Sequence, residues 1–463
     1  MGGAVALCLA PGEAFAHAAD RGHVLLLPTG YYLIGGALAV AVTIVVLGLV
    51  PVGPLAALAS ARLPIGRVPD RLRLVTGTAS FLFLAALVAI GFAGSRDPLS
   101  NPLPLMVWTV FWVGLTLTQG IVGDVWRWLD PWLVPARAIA RLAGRPRWRA
   151  LPAAWGYWPA IVQFLGFAWF ELVHPAPDDP AVLAMAVGIY FAANLAAARV
   201  FGHEEWAKRG EALSAFLHLI AHLGVVEQSR PVAGRIRLRL RLPGAGLVGA
   251  RPLPLSGAVF LLVALGSVSY DGLMRTFFWL GLTGVNPLEF PGRTAVAAVN
   301  TAGLLAAVAL LAAIFLAAVR LGQRLAVSQV PFARAAGAPA WSVIPISLAY
   351  HFSHYLTALM VDGQYALAAL SDPLMNGADL FGTAGMHVRA GAATGAEAAW
   401  IVWNLQAFAI ILGHLLAVSA AHLIAARLEA SARTALVSQL PLGALMVAYT
   451  VFGLWLLSSP TGY

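Results

Sequence analysis

A chain of 463 residues in which 60% are hydrophobic and only 11% are charged does not describe a water-soluble globular domain. Its mean hydropathy of +0.81, carried by repeated apolar runs, fits helices crossing the ~30 Å hydrocarbon layer of a bilayer. The formal charge of +9 would suit a nucleic-acid partner, but its placement along the chain assigns it to membrane topology, and no nucleic acid is expected.

The chain opens with a short apolar run at 4–10, AVALCLA, followed by Ala14-Phe15-Ala16. That small-x-small pattern fits a signal-peptidase site, so residues 1–30 read as a leader and an outer N-terminal piece. Against cleavage, no basic residue precedes the run. Cleavage would leave His17 at the N-terminus, where an amino group beside its own imidazole chelates copper(II). Cys8 is the single cysteine and allows neither an internal disulfide nor a cysteine-based metal site.

Ten spans are expected, at 31–50, 73–93, 105–123, 155–173, 181–198, 254–273, 295–319, 340–361, 399–420 and 437–457. The alternate loops 53–73, 124–154, 199–253, 320–339 and 421–436 hold 24 of the 29 Lys and Arg residues. By the positive-inside rule those loops are cytoplasmic and both termini lie outside. The expected fold is therefore all-α: a polytopic transmembrane helical bundle of about ten spans in a bacterial inner membrane. Residues 31–198 form a first five-span half and 254–463 a second. Halves of opposite orientation are a topological feature of inverted-repeat transporters.

Between them, 199–253 reads as a cytoplasmic loop. Its segment 204–226 is charged in its first part and apolar in its second, as for a helix lying at the inner interface. His218 and His222 stand there at i and i+4, a spacing that can hold a metal but more often is incidental. Arg235, Arg237, Arg239 and Arg241 then alternate with apolar residues, which reads as a short strand with one basic face for anionic headgroups. Trp126, Trp128 and Trp132 form an aromatic belt at the inner end of the third span.

The functional residues are expected on the eighth span. His351 and Asp362 are almost three helical turns apart and share a face with Ser347 and Tyr355, while His354 is displaced by about 60°. Ionisable groups at membrane depth are costly and mark function. The ninth span adds His414, with His422 at its inner end; the sixth ends in Asp271 and the fourth in Glu171. His351, His354, Asp362, Asp271 and His414, together with His17, are the candidate metal ligands. Copper or zinc suits imidazole best. Haem is the weaker fit, since no helix spaces two histidines for stacked haems. A proton relay and simple interhelical hydrogen bonding stay open. The loop 362–398 is read as a surface, re-entrant or lid segment.

The motifs SYDGLMRTFFW (269–279), NPLEFPGRTA (286–295), YHFSHYLTALMVDGQ (350–364), LSDPLMNGADLFGT (370–383) and GHLLAVSAAH (413–422) resemble a family of bacterial polytopic membrane proteins, some labelled fenitrothion hydrolase. The resemblance spans most of the chain and implies organophosphate-triester hydrolysis, which ordinarily uses metal-activated water. The chain has no HxH, HExxH or GxSxG signature, so His351 and His354 with Asp271 or Asp362 would have to serve. Whether the protein is an enzyme stays open. The leading expectation is binding or transport of a metal ion through an outward-opening His/carboxylate site. A membrane-embedded metal-dependent hydrolase and a non-catalytic subunit of a larger membrane complex are the alternatives.

Overall fold

The computed structural model describes residues 29–145, 147–286, 292–389 and 396–461. His17 and the leader therefore lie outside the described residues. Each of the ten apolar stretches is helical over most of its length. Eight helices among the described residues are long and apolar enough to cross a membrane, which makes this a multi-pass membrane protein. They are α1 (Thr29–Leu49), α2 (Leu72–Ala93), α3 (Pro102–Ile121), α5 (Pro180–Phe201), α8 (Leu255–Met274), α9 (Arg293–Ala326), α11 (Glu397–Leu428) and α12 (Ala432–Ser458). The other two stretches are α4 (Trp158–Leu172), only 15 residues long, and α10 (Val343–Ser371), whose apolar run is broken by the polar seam. Between α5 and α8 lie the short helices α6 (His203–Arg209) and α7 (Ala212–Ile220).

The arginine-rich loops meet at one end of the bundle. β1 (Leu63–Pro69) pairs antiparallel with β3 (Arg235–Leu240), which also pairs with β2 (Val226–Gln228), giving the order β1-β3-β2. The Trp128 indole donates to Gln228 at 3.1 Å, the Leu253 amide donates to the Gly337 carbonyl at 3.0 Å, and Ser328 donates to Glu429 at 2.8 Å. These contacts tie all five loops together. At the opposite end Arg96 pairs with Asp179, and Arg293 donates to the Glu171 carbonyl. The two ends are thus chemically distinct, one gathering most of the arginines under a strand cap, the other carrying Glu171 and Asp271.

The segment read as a single interfacial helix is two helices separated at Gly210 and capped anew by Glu211, whose carboxylate accepts from Leu213 and Ser214 amides. Seven of the nine residues of α7 are buried, so it plugs the basic end of the bundle instead of lying on a lipid surface.

α8 is the axis of the second half: 83% of its spanning window is buried, against 11% for α1 and 17% for α2. It packs against α4, α9 and α10. Close approach of α10 and α11 depends on Gly413, where a Cβ would meet the Pro345 carbonyl at 2.8 Å. On α3, residues Leu105–Leu115 form a π-helix. Such wide turns cost regular packing and recur at functional sites. This one faces two ways, with Trp112 and Val113 buried inward and Trp108 and Phe111 toward a cavity.

Candidate functional site

The site is assembled at the acidic end from α4, α8 and α10. Asp271 lies in the last turn of α8, 1% exposed. Its Oδ2 is 2.6 Å from Nε2 of His354 on α10, and its Oδ1 is 3.1 Å from Arg275, one turn on. The Arg275 side chain is 40% exposed, so the pair reaches from the buried interior to the surface. The Tyr355 hydroxyl lies 3.1 Å from Asp271 Oδ2 and 2.7 Å from Oε1 of Glu171, at the end of α4. Two carboxylates from helices distant in sequence are thereby bridged by one phenol.

Helix periodicity places His354 and Tyr355 side by side at this level. Their rings meet edge-to-face at 4.6 Å, and Tyr355 also touches the His351 ring at 4.9 Å. His351 itself is committed elsewhere. Its Nε2 is 2.9 Å from the Trp112 carbonyl, which can only accept, so that nitrogen carries the hydrogen. The Trp112 indole stands edge-on to it at 5.0 Å. The same indole Nε1 is buried close to Glu171 and Tyr355 without an aligned hydrogen bond.

The remaining candidates do not converge here. The helix expected to end near 361 runs on to Ser371, because residues 362–371 keep helix-forming Ala and Leu, so Asp362 sits inside α10. It takes no hydrogen bond or ion pair with a described residue. His414, fully buried on α11, bonds back to the Ile410 carbonyl at 2.8 Å and packs near Tyr350. His422 meets the Gln439 amide at 3.1 Å. Among the described residues no three His, Cys, Asp or Glu side chains are grouped so as to hold a metal. Of the five proposed ligands among the described residues, one pair is in direct contact, His354 and Asp271.

His218 and His222 are neighbours, with rings 5.7 Å apart, but each has its own partner. His218 Nδ1 is 3.4 Å from Asp124, and His222 packs on Trp341 at 4.7 Å. Burial, reinforced by the adjacent His218, pushes the His222 imidazole down to about 4. In the loop after α10, Asp379 accepts from the Ser371 hydroxyl and the Ala384 amide, which hold its carboxyl below the ordinary range. That segment is an exposed surface loop folded on its own hydrogen bonds.

Two members of the site escaped the sequence reading. Glu171 closes a span, and its partner Tyr355 lies 184 residues away, beyond any local pattern. Arg275 stood at i+4 from Asp271, the spacing of a helical ion pair, and was legible in principle. No family model matches this chain, and no curated protein or solved structure is significantly similar to it.

Proposed function

We propose that this protein is a proton-handling membrane protein, a transporter or pump component, whose coupling site is Glu171, Tyr355, Asp271 and His354. In this reading it resides in a bacterial inner membrane with ten spans, both termini outside. The location of 24 of 29 Lys and Arg residues in loops gathered at one end supports that orientation. The acidic site then opens to the periplasm.

The observation that carries the proposal is the phenol between two carboxylates. Tyr355 has one hydrogen and lies within bonding distance of both Glu171 and Asp271. It can donate to only one, so the other contact requires a protonated carboxyl that donates back to the phenol oxygen. Asp271 already faces His354 and Arg275, which favours its charged form. The Glu171 carboxyl forms no ion pair with a described residue and takes the proton. With Glu171 neutral, Asp271 and Arg275 balance each other. When Glu171 releases its proton outward, protonation of His354 at its second nitrogen restores the balance. The site alternates between two neutral states that differ only in where one proton sits. Such His and carboxylate constellations act as proton relays in pumps.

A copper or zinc ion would find His354 and Asp271 together, two of the four ligands a zinc site uses, so the proton reading is preferred. The decisive assay reconstitutes the purified chain in liposomes with an internal pH dye. Wild-type protein carries a proton flux that Glu171→Gln abolishes while insertion is unchanged. Wild-type flux in Glu171→Gln overturns the proposal.

A further inference from the structure

A large cavity lies away from this site, between α2, α3, α4 and α5, with a volume of about 1220 Å³. Its walls are aromatic and aliphatic: Trp108 and Phe111 on the π-helix, Phe167 and Phe170 on α4, Phe191 on α5. Along α5 it extends from Leu183 to Asn194, roughly 16 Å of helix. Most of its polar wall groups are already bonded within the protein, Gln163 Oε1 being a buried acceptor without a partner among the described residues. Trp206 donates to Asn194, Asn194 to the Tyr190 carbonyl, Tyr190 to Glu211, and Thr118 to the Gly114 carbonyl. Water in a cavity needs two to four polar partners, more than the lone Gln163 Oε1 and the Ser80 hydroxyl offer along so long a wall. A void this large flanked by membrane-spanning helices fills with hydrocarbon.

The basic end supplies the other half of a recognition site. Pro131 and Trp132 line the cavity there and lead directly into the helix Leu133–Leu142. That helix is amphipathic, with Leu133 and Ala136 buried. Its Arg137 and Arg141 form no ion pair or side-chain hydrogen bond with a described residue. Basic amphipathic helices at an interface attract anionic headgroups.

We propose that the cavity holds one acyl chain of a resident anionic phospholipid, whose phosphate sits against Arg137 and Arg141. The lipid wedges α2 and α5 apart from α3 and α4 and supports the π-helix whose Trp112 contacts His351. This inference stands independently of the proton reading.

The test uses the full chain, delipidated in detergent and titrated with phosphatidylglycerol or phosphatidylcholine of identical chains, followed by native mass spectrometry. Wild-type protein takes up one phosphatidylglycerol with at least tenfold preference over phosphatidylcholine. Gly166 lines the cavity and a Cβ there meets nothing within 4 Å, so Gly166→Phe fills the space without a backbone clash. That variant loses the bound lipid at least fivefold while its elution volume and melting temperature are kept. Should it fail to fold, Gly166→Leu gives the same reading with less bulk. Arg137→Gln/Arg141→Gln brings the two lipids to equal uptake. Equal uptake by wild-type protein, lipid adducts indifferent to both cavity variants, or a co-purified isoprenoid in place of phospholipid overturns the proposal.

Discussion

The two halves of the molecule solve the same problem, life in hydrocarbon, in opposite ways. Around α8 the second half is packed as a core, and the polar groups at its centre are held by each other: Asp271 by His354 and Arg275, Ser269 by Tyr449 at 2.6 Å, Tyr350 by the Tyr449 carbonyl. The first half leaves its helices apolar and loosely joined around a cavity, with α2 only 17% buried over its spanning window. Buried polar networks are costly unless complete, and once complete they fix one arrangement. Apolar walls carry no such demand and tolerate filling. A mutation should therefore cost more near Asp271 than near the cavity, and the variants below measure that difference.

The largest effect is expected from Asp271→Ala, which strands His354 and the Arg275 guanidinium beside an emptied pocket. Breaking a buried ion pair from one side costs about 3 kcal/mol or more. Thermal unfolding in detergent should show a melting temperature lowered by several degrees, and a wild-type melting temperature would break the comparison. Tyr355→Phe removes the bridge but leaves the shape, costing about 1–2 kcal/mol as Asp271 loses a donor and the Glu171 carboxyl an acceptor. Its proton flux should fall at least tenfold, and full flux with an unchanged melting curve would remove Tyr355 from the relay. Glu171→Gln should be nearly silent in stability, since a neutral amide replaces a neutral acid.

At the basic end the effect depends on pH and vanishes at neutral pH. His222 stays neutral in the folded protein down to about pH 4, while the unfolded chain protonates near its ordinary 6.5. The unfolded chain therefore binds more protons between those values, and stability present above pH 6.5 is lost as pH falls toward 4. The contribution is at most roughly 3 kcal/mol. His222→Gln should flatten the melting temperature over that window; an unchanged slope would show that His222 does not titrate in it.

Much of this architecture was legible as sequence. Apolar runs located the helices, and arginine placement separated the loops that the structure gathers at one end. The seam on α10 was legible too, because His351, His354 and Tyr355 interrupt an otherwise apolar run. The partners were not. Nothing in a single chain tells that Glu171 and Asp271 meet through Tyr355, since helix pairing in a membrane depends on small-residue contacts such as Gly413 against Pro345. Histidine count pointed to metal, yet tertiary packing committed His351 to a backbone carbonyl and left His414 facing Tyr350. The π-helix in α3 had no signal, since its composition is that of any apolar span.

The central claim is that one proton resides on the carboxylate pair, on Glu171. Infrared difference spectroscopy of the detergent-purified protein across neutral pH reads this directly from the carbonyl stretch of a protonated carboxyl. Such a band is expected in wild type, shifted in Tyr355→Phe and absent in Glu171→Gln. A wild-type spectrum without it, or a band that survives in Glu171→Gln, would contradict the account.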